Sequence, residues 1–588
     1  MMMSKKTAKI PVRDYYHLLK AYLKPQGRMV LLLTVLIFGS IGSQLINPQI
    51  MRYFIDTATR GGDPNILFWA AIAFMGAALI QQALSVSATY VGENLGWTTT
   101  NMLRRDLVSH CLGLDLAFHK LHTPGEMIER IDEDVTSLAN FFSQFSIRVL
   151  GNMLIIIGVL VLLYLEDFRA GLTITLFVVI TLTSVQMLRK KMMTYQWEAR
   201  QASAELSGFI EERLAGTEDI KGNGAIPHTM LGLYKAMRHR NQKQLRANCY
   251  ATTIRMTAIT LHYFGIALAL WIGILLAWSG KGSIGTIVLF VIYTDLIYRP
   301  IMQITRQMED FQQAGAGIQR VQELLHMRSE IRDGDGPDLP RGPLSVTWDQ
   351  VSFSYTDDND LVLKGISFDL QPGETLGILG RTGSGKTTVT RLLTRLYDYN
   401  GGMIRLGNVE LKSTRIADLR DKIGLVTQDV QLFHATVRDN VTFFNPDIAD
   451  DQIYRVFEEV GLTAWLQSLP HGLDTILTGG GGLSAGEAQL LAFSRVFLRN
   501  PGLVIMDEAS SRLDPATEHL MEKAIDKLLS GRTGIIVAHR LSTIMKVDKI
   551  LILEDGKVRE YGKRIDLIHT PGSHFNHLLA TGLEEVLA

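Results

Sequence analysis

Two adjacent carboxylates, Asp507 and Glu508, close the apolar run "LVIMDE", and upstream of them lies a glycine-rich loop, "GRTGSGKTT", at 380–388. The loop has the composition of a phosphate cradle. Gly380, Gly383 and Gly385 allow tight turns that present successive backbone amides, and Arg381, Thr382, Ser384 and Thr388 complete the wall. Lys386 supplies a cation to the β- and γ-phosphates of ATP, and the Thr387 hydroxyl is a ligand for Mg²⁺. The apolar "TLGILG" before the loop reads as a buried strand and the residues after it as a helix, the context that this Walker A arrangement requires.

At its strand end Asp507 would hold Mg²⁺ through water, and Glu508 would polarise the water that attacks the γ-phosphoryl group. An Asp-Glu pair alone is more often a solvated turn, so the assignment rests on its company with the phosphate loop. No acceptor site is legible, which favours ATP hydrolysis over phosphorylation of a small molecule.

These motifs sit in the C-terminal part of a long chain. With 588 residues and 47% hydrophobic content, it exceeds one domain and is too apolar to lie wholly in water. Its 59 basic and 59 acidic residues cancel, so overall charge gives no reason to expect nucleic acid as a partner. Cys111 and Cys249 alone can form neither a disulfide framework nor a cysteine metal cluster. Apolar stretches at 27–46, 66–91, 146–165, 169–187, 257–278 and 283–306 approach the ~20 residues that cross ~30 Å of hydrocarbon, predicting six transmembrane helices. The first follows a basic, aromatic segment without a cleavage site and is expected to be retained. Arg104, Arg105, Lys190, Lys191, Arg238, Arg240 and Lys243 mark the two long inter-span segments as cytoplasmic. The expected fold is multidomain. A cytoplasmic segment (1–26) precedes an all-α six-helix transmembrane domain with long cytoplasmic loops (27–325), then a Gly, Pro and Asp-rich linker (326–343) and an α/β P-loop ATPase domain (344–588).

In order along the chain, Tyr355, the phosphate loop, Gln428, "LSAGE" at 483–487, Asp507 with Glu508, Asp514 and His539 resemble the ATP-binding cassette (ABC) transporter superfamily. The resemblance is to an exporter-type half-transporter and covers nearly the whole chain. It implies that Tyr355 stacks on adenine, that Gln428 is the Q-loop residue coupling Mg²⁺ and water to the membrane half, and that His539 is the switch histidine beside Glu508. It implies also that Ser484 and Gly486 of the signature motif reach the γ-phosphate of an opposite site, with Asp514 in the D-loop. The catalytic set is then Glu508, His539 and Gln428, and the Mg²⁺ set is Thr387, Gln428 and Asp507. Two such half-transporters would meet head to tail with ATP sandwiched between them. Short coupling helices in "LDLAFHKLHTPGEMIERIDEDV" and "EERLAGTEDIKGNGA" would sit on the nucleotide-binding domains. Viewed alone, Ser484 could be only a helix cap and Tyr355 only a strand aromatic.

Two positions and one stretch depart from the family pattern. Ala485 stands where glycine is usual, Ala488 replaces the basic residue that follows, and "TGGGG" before the signature lacks the usual charges. A methyl group at Ala485 would crowd the partner's phosphate, so the chain reads as one half of a heterodimer, with a homodimer as the alternative. The expected function is ATP-driven export or flipping of an amphipathic small molecule or lipid across a bacterial plasma membrane, with the nucleotide-binding domain in the cytoplasm. The alternatives are an ATP-gated channel and a regulatory or sensor complex. Asp295, 12 residues beyond Ser283, falls ~18 Å along the last span and is expected to face the bundle with Arg299 as its ionic partner. There it would accommodate a cationic part of the substrate or only stabilise packing.

Overall fold

The computed structural model describes residues 20–138, 149–356, 360–477, 483–507, 515–537 and 541–581. They divide into two compact units. One runs through Leu112 and resumes at Pro124–Met327; the other joins Gly113–Thr123 to the chain from Arg328 onward.

The first unit is helical. Its long elements are α1 (Gly27–Thr59), α2 (Pro64–Gly113), α3 (Gly151–Glu166), α4 (Phe168–Ala215), α5 (Ile226–Trp278) and α6 (Ile284–His326). Among the described residues, five helices are long and apolar enough to cross a membrane, while α3 is apolar but 16 residues long. The helices outrun the apolar stretches that announce them. At 53 residues α5 is ~80 Å long, because its i→i−4 hydrogen bonding continues into polar sequence that water can solvate. In that polar part α4 and α5 are joined by stacked Tyr195 and Tyr250 rings 4.2 Å apart and by Lys243 on Glu198 at 2.8 Å.

Leu31, Phe38, Leu79, Ile157 and Trp271 point outward from the spans, the surface a helix shows to lipid. Val159, Leu163, Ile174, Leu289 and Tyr293 pack inside. The buried Tyr293 hydroxyl donates to the Leu45 carbonyl at 3.2 Å and accepts from Gln49 Nε2 at 3.0 Å, so no polar atom of that ring is left unpaired in an apolar setting. Asp56 of α1 accepts from Ser283 Oγ (2.7 Å) and from the Gly285 amide (2.9 Å), fixing the start of α6. Asp295 departs from the expected pairing. Its close partner is His262 of α5, Nε2 to Oδ1 3.3 Å, whereas Arg299 is exposed on α6. The i,i+4 spacing allows a pair along one helix, but the neighbouring helix places a side chain against the carboxylate directly.

The second unit is α/β. An antiparallel sheet runs in the order β2 (Leu363–Leu370), β1 (Val346–Phe353), β4 (Gly401–Leu406) and β5 (Val409–Glu410). A six-stranded sheet runs β12 (Lys557–Lys563), β11 (Lys549–Glu554), β3 (Thr375–Leu379), β10 (Thr533–Val537), β9 (Leu503–Asp507) and β6 (Ile423–Val426), parallel from β11 to β6. Between β6 and β9 in sequence, β7 (Ala435–Thr436) and β8 (Ile476–Leu477) form a separate antiparallel pair. The central strands of the six-stranded sheet are continuous apolar runs because both faces are covered, one by helices and the other by the antiparallel sheet and the helix that begins at Lys386. Trp348, Leu376, Ile378 and Val389 pack in one core, and Val504, Met506, Leu490, Phe493 and Phe457 in the other. The short helix Leu116–Leu121 belongs to this unit. Leu116 and Ala117 pack against the first core, and the Asp115 carboxylate caps the helix at Phe118 N and accepts from Ser329 Oγ and Glu330 N.

Candidate functional site

Strand order assembles the site. In β10, Val537 pairs with Ile378 of β3 on one side and with Asp507 of β9 on the other, and Val426 of β6 pairs with Met506. The phosphate loop after β3, the end of β10 at Val537, Asp507 and Gln428 therefore all lie at the C-terminal edge of one parallel sheet, where α/β folds open their ligand crevice.

The loop is held by its glycines at two points. At Gly380 (φ 152°) a Cβ would lie 2.4 Å from the Leu553 carbonyl, and at Gly385 (φ 105°) it would lie 2.5 Å from Leu363 Cδ2. Gly385 is the N-cap of α7 (Lys386–Leu393), so the loop opens onto a helix N-terminus with its free amides. Lys386 Nζ donates to the carbonyls of Gly380 and Arg381, which aims the ammonium along the loop. Burial holds that ammonium below the ordinary lysine range, while the Asp507 carboxylate works in the opposite direction. Thr387 Oγ1 lies 3.4 Å from Asp507 Oδ2.

Phosphate and Mg²⁺ fit these residues. Ser384 Oγ is buried with no hydrogen-bond partner, an unsatisfied donor inside the cradle, and Lys386 brings a positive charge whose hydrogen-bond partners are carbonyls. Thr387 and Asp507 bring two oxygen donors to one point, a set suited to a hard cation. Arg381, Thr382, Gly383 and Thr387 are exposed along the mouth, and Thr388 is buried beneath it.

Tyr355 is connected to the loop. Its hydroxyl lies 3.0 Å from Thr388 Oγ1 and accepts from Arg391 at 3.1 Å, while its ring meets Phe353 and Tyr397 edge to face. Ser484 caps α8 (Ala485–Arg499) in a reciprocal box with Glu487: its hydroxyl accepts the Glu487 amide at 3.2 Å and its own amide donates to Glu487 Oε2 at 2.7 Å. Ala485 is exposed at that helix start and Gly486 is buried behind it. Gln428 is exposed. Glu508, Asp514 and His539 lie outside the described residues.

Sequence reading missed three contributors. Lys120 holds its ammonium 4.5 Å from the centre of the Tyr355 ring, although it lies far upstream in the chain. Arg391, one turn beyond Thr388 in α7, is legible only once Tyr355 is seen to contact that helix. Beside Gln428, a cavity of about 510 Å³ is lined by Thr427, Gln431, Phe433, Phe443 and Arg495. Arg495 donates to the Asn440 and Gln431 carbonyls, and burial pushes its guanidinium down to about 10.

Residues 30–301 match the family model of the ABC transporter transmembrane region, and residues 363–511 match that of the ABC transporter. YfiC of Bacillus subtilis (strain 168), an uncharacterized ABC transporter ATP-binding protein, is 30% identical over 92% of this chain and 90% of its own. The ATP-dependent lipid A-core flippase of Pectobacterium atrosepticum is 28% identical over 92% of this chain and 93% of that protein. A putative multidrug export ATP-binding/permease protein of Staphylococcus aureus is 28% identical over 95% of this chain and 98% of that protein. A solved bacterial Atm1-family ABC exporter with ATP bound shares the fold, with a TM-score of 0.78 at 24% identity over 95% of this chain and 98% of its own. The chain belongs to the ABC transporter family as a half-transporter: an integral membrane protein whose cytoplasmic nucleotide-binding domain uses Mg-ATP and hydrolyses it to drive transport.

Proposed function

We propose that this half-transporter exports or flips a lipid-like or amphipathic molecule, with each ATP held between this chain and a second half-transporter. The observation that carries the reading is the shared sheet edge, from which the Lys386 cradle, Asp507 and Gln428 all emerge. A lipid A-core flippase and a putative multidrug export protein among the relatives support the substrate class. Six crossings follow if α3 is completed by residues preceding Gly151.

At the site, Lys386 and the loop amides from Gly380 to Thr388 bind the phosphates, and Tyr355 stacks on the base. Thr387, Gln428 and, through water, Asp507 would hold Mg²⁺, and the ion would supply a positive charge against the phosphates. Glu508 orients and polarises the attacking water, with His539 keeping that water and the γ-phosphate in register. Ser484 and Gly486 offer the α8 N-terminus to the nucleotide held by the partner chain, and Asp514 completes the partner-facing set. Because Ala485 is exposed where close approach is needed, a heterodimer whose other chain brings a glycine there is favoured.

The test is reconstitution into sealed vesicles, with a fluorescent phospholipid analogue and a lipophilic dye as probes. ATP-dependent movement of at least one probe, abolished in Lys386→Ala, is expected. Sustained ATP turnover with no movement of either would exclude transport of this class.

A further inference from the structure

Across the six apolar stretches of the sequence, Asp295 is the single carboxylate. It stands 12 positions past the capping Ser283, and His262 stands 16 positions before Trp278 at the end of α5. Both groups thus lie ~18–24 Å from the linked ends of their helices, within the hydrocarbon depth. They meet at 3.3 Å, yet the His262 side chain is 11% exposed and that of Asp295 66%. An ionisable side chain at this depth is costly against lipid, so the face that Asp295 presents belongs to a wet path or a facing chain. Aromatic surface surrounds the pair: the Tyr298 ring centre is 4.3 Å from that of His262, and Tyr263 lies at 5.4 Å.

We propose that Asp295, held by His262 and flanked by Tyr298, binds a lipophilic organic cation in the membrane domain. This rests on the transport reading above and narrows its substrate class. The carboxylate supplies the charge that a neutral analogue of the same bulk could not use. The tyrosine supplies a π face, which attracts cations and tolerates varied apolar bodies. His262 acts as a positioning residue: it occupies Oδ1 and leaves Oδ2 directed to the ligand. No ion pair joins Arg299 to Asp295, so the carboxylate is not already neutralised from its own helix.

The experiment uses the full chain, assembled with its partner in lipid nanodiscs, and two probes of similar aromatic bulk. These are tetraphenylphosphonium, a cation, and triphenylphosphine oxide, which is neutral. Asp295→Asn should weaken tetraphenylphosphonium binding at least ~10-fold and change triphenylphosphine oxide binding less than ~2-fold, as loss of one charge requires. Asp295→Glu should recover part of the cation affinity, and His262→Gln should lose a few-fold of it without moving the neutral probe. The proposal is overturned if both probes weaken together, if Asp295→Asn binds the cation as the native chain does, or if the native chain does not bind it. Failure of the transport reading is separate, since it would show as the absence of any ATP-driven probe movement in vesicles.

Discussion

The Lys120 ammonium sits 4.5 Å from the centre of the Tyr355 ring and 5.6 Å from that of Tyr397, so a residue of the Leu116–Leu121 helix touches the aromatic proposed above to stack on the nucleotide base. A cation over such a face contributes ~0.5–2 kcal/mol. If Tyr355 stacks on the base as proposed, Lys120→Met, which keeps the aliphatic stem, should weaken ATP binding about 5-fold and leave binding of inorganic tripolyphosphate, which has no base, unchanged. Titration with both ligands decides it: equal loss for the two would place the effect in the cradle instead.

Glu508→Gln should retain ATP affinity within about 2-fold and lower ATP turnover at least ~100-fold, the scale of a lost general base. Lys386→Ala should instead lose affinity, since it removes the ammonium that points along the loop. Turnover and nucleotide binding measured on the assembled transporter separate the two; unaltered hydrolysis in Glu508→Gln would remove that residue from the mechanism.

Gly385→Ala meets two obstacles, a left-handed backbone and Leu363 Cδ2 at 2.5 Å. Strain of this kind costs ~1–3 kcal/mol. The expected outcome is a lowered melting temperature together with weakened ATP binding, because the same residue sets the start of α7. Gly383→Ala, where a Cβ meets nothing within 4 Å but φ is 86°, should melt less early.

Ala485→Gly should raise ATP turnover when this chain is purified as its own dimer, since each site would then face a signature helix without the methyl group. In the heterodimer the gain should fall at the site whose phosphate loop belongs to the partner. No gain in either assembly would mean that the exposed methyl group is accommodated.

Arg438 grips Asp450 through two hydrogen bonds, of 2.8 and 2.9 Å, and also pairs with Asp474. The Arg438 hydrogen bonds hold the Asp450 carboxyl below the usual carboxylate range. Its contribution to stability is therefore complete above the unfolded value of about 3.9 and is lost as pH falls through the lower folded value. Melting curves of the native chain and Arg438→Met should accordingly differ at neutral pH, begin to approach each other only below about pH 4, and converge once the pH is below the folded Asp450 value.

The phosphate loop and the Asp507 strand end were legible because their chemistry depends on residues close in sequence and on strands that are apolar throughout. Helix length was not. The apolar stretch ends at Val91, but α2 continues through Arg104 and Arg105 to Gly113, since backbone hydrogen bonds are indifferent to whether lipid or water surrounds them. Spacing pointed from Asp295 to Arg299, and a neighbouring helix supplied His262 instead. Contacts such as Lys120 with Tyr355 depend on the return of a distant segment, which local periodicity does not encode.

The nucleotide unit is discontinuous in the chain: eleven residues, Gly113–Thr123, are encoded within the membrane half. Genetic recombination that exchanged ATPase modules between paralogues at Arg328 would leave this insert behind. The incoming module would then receive a foreign Asp115 for its Ser329 and Glu330, and foreign side chains where Leu116 and Ala117 pack. Such hybrids should fail through mismatch at that seam even with every ATP motif intact, so the two halves are constrained to diverge together.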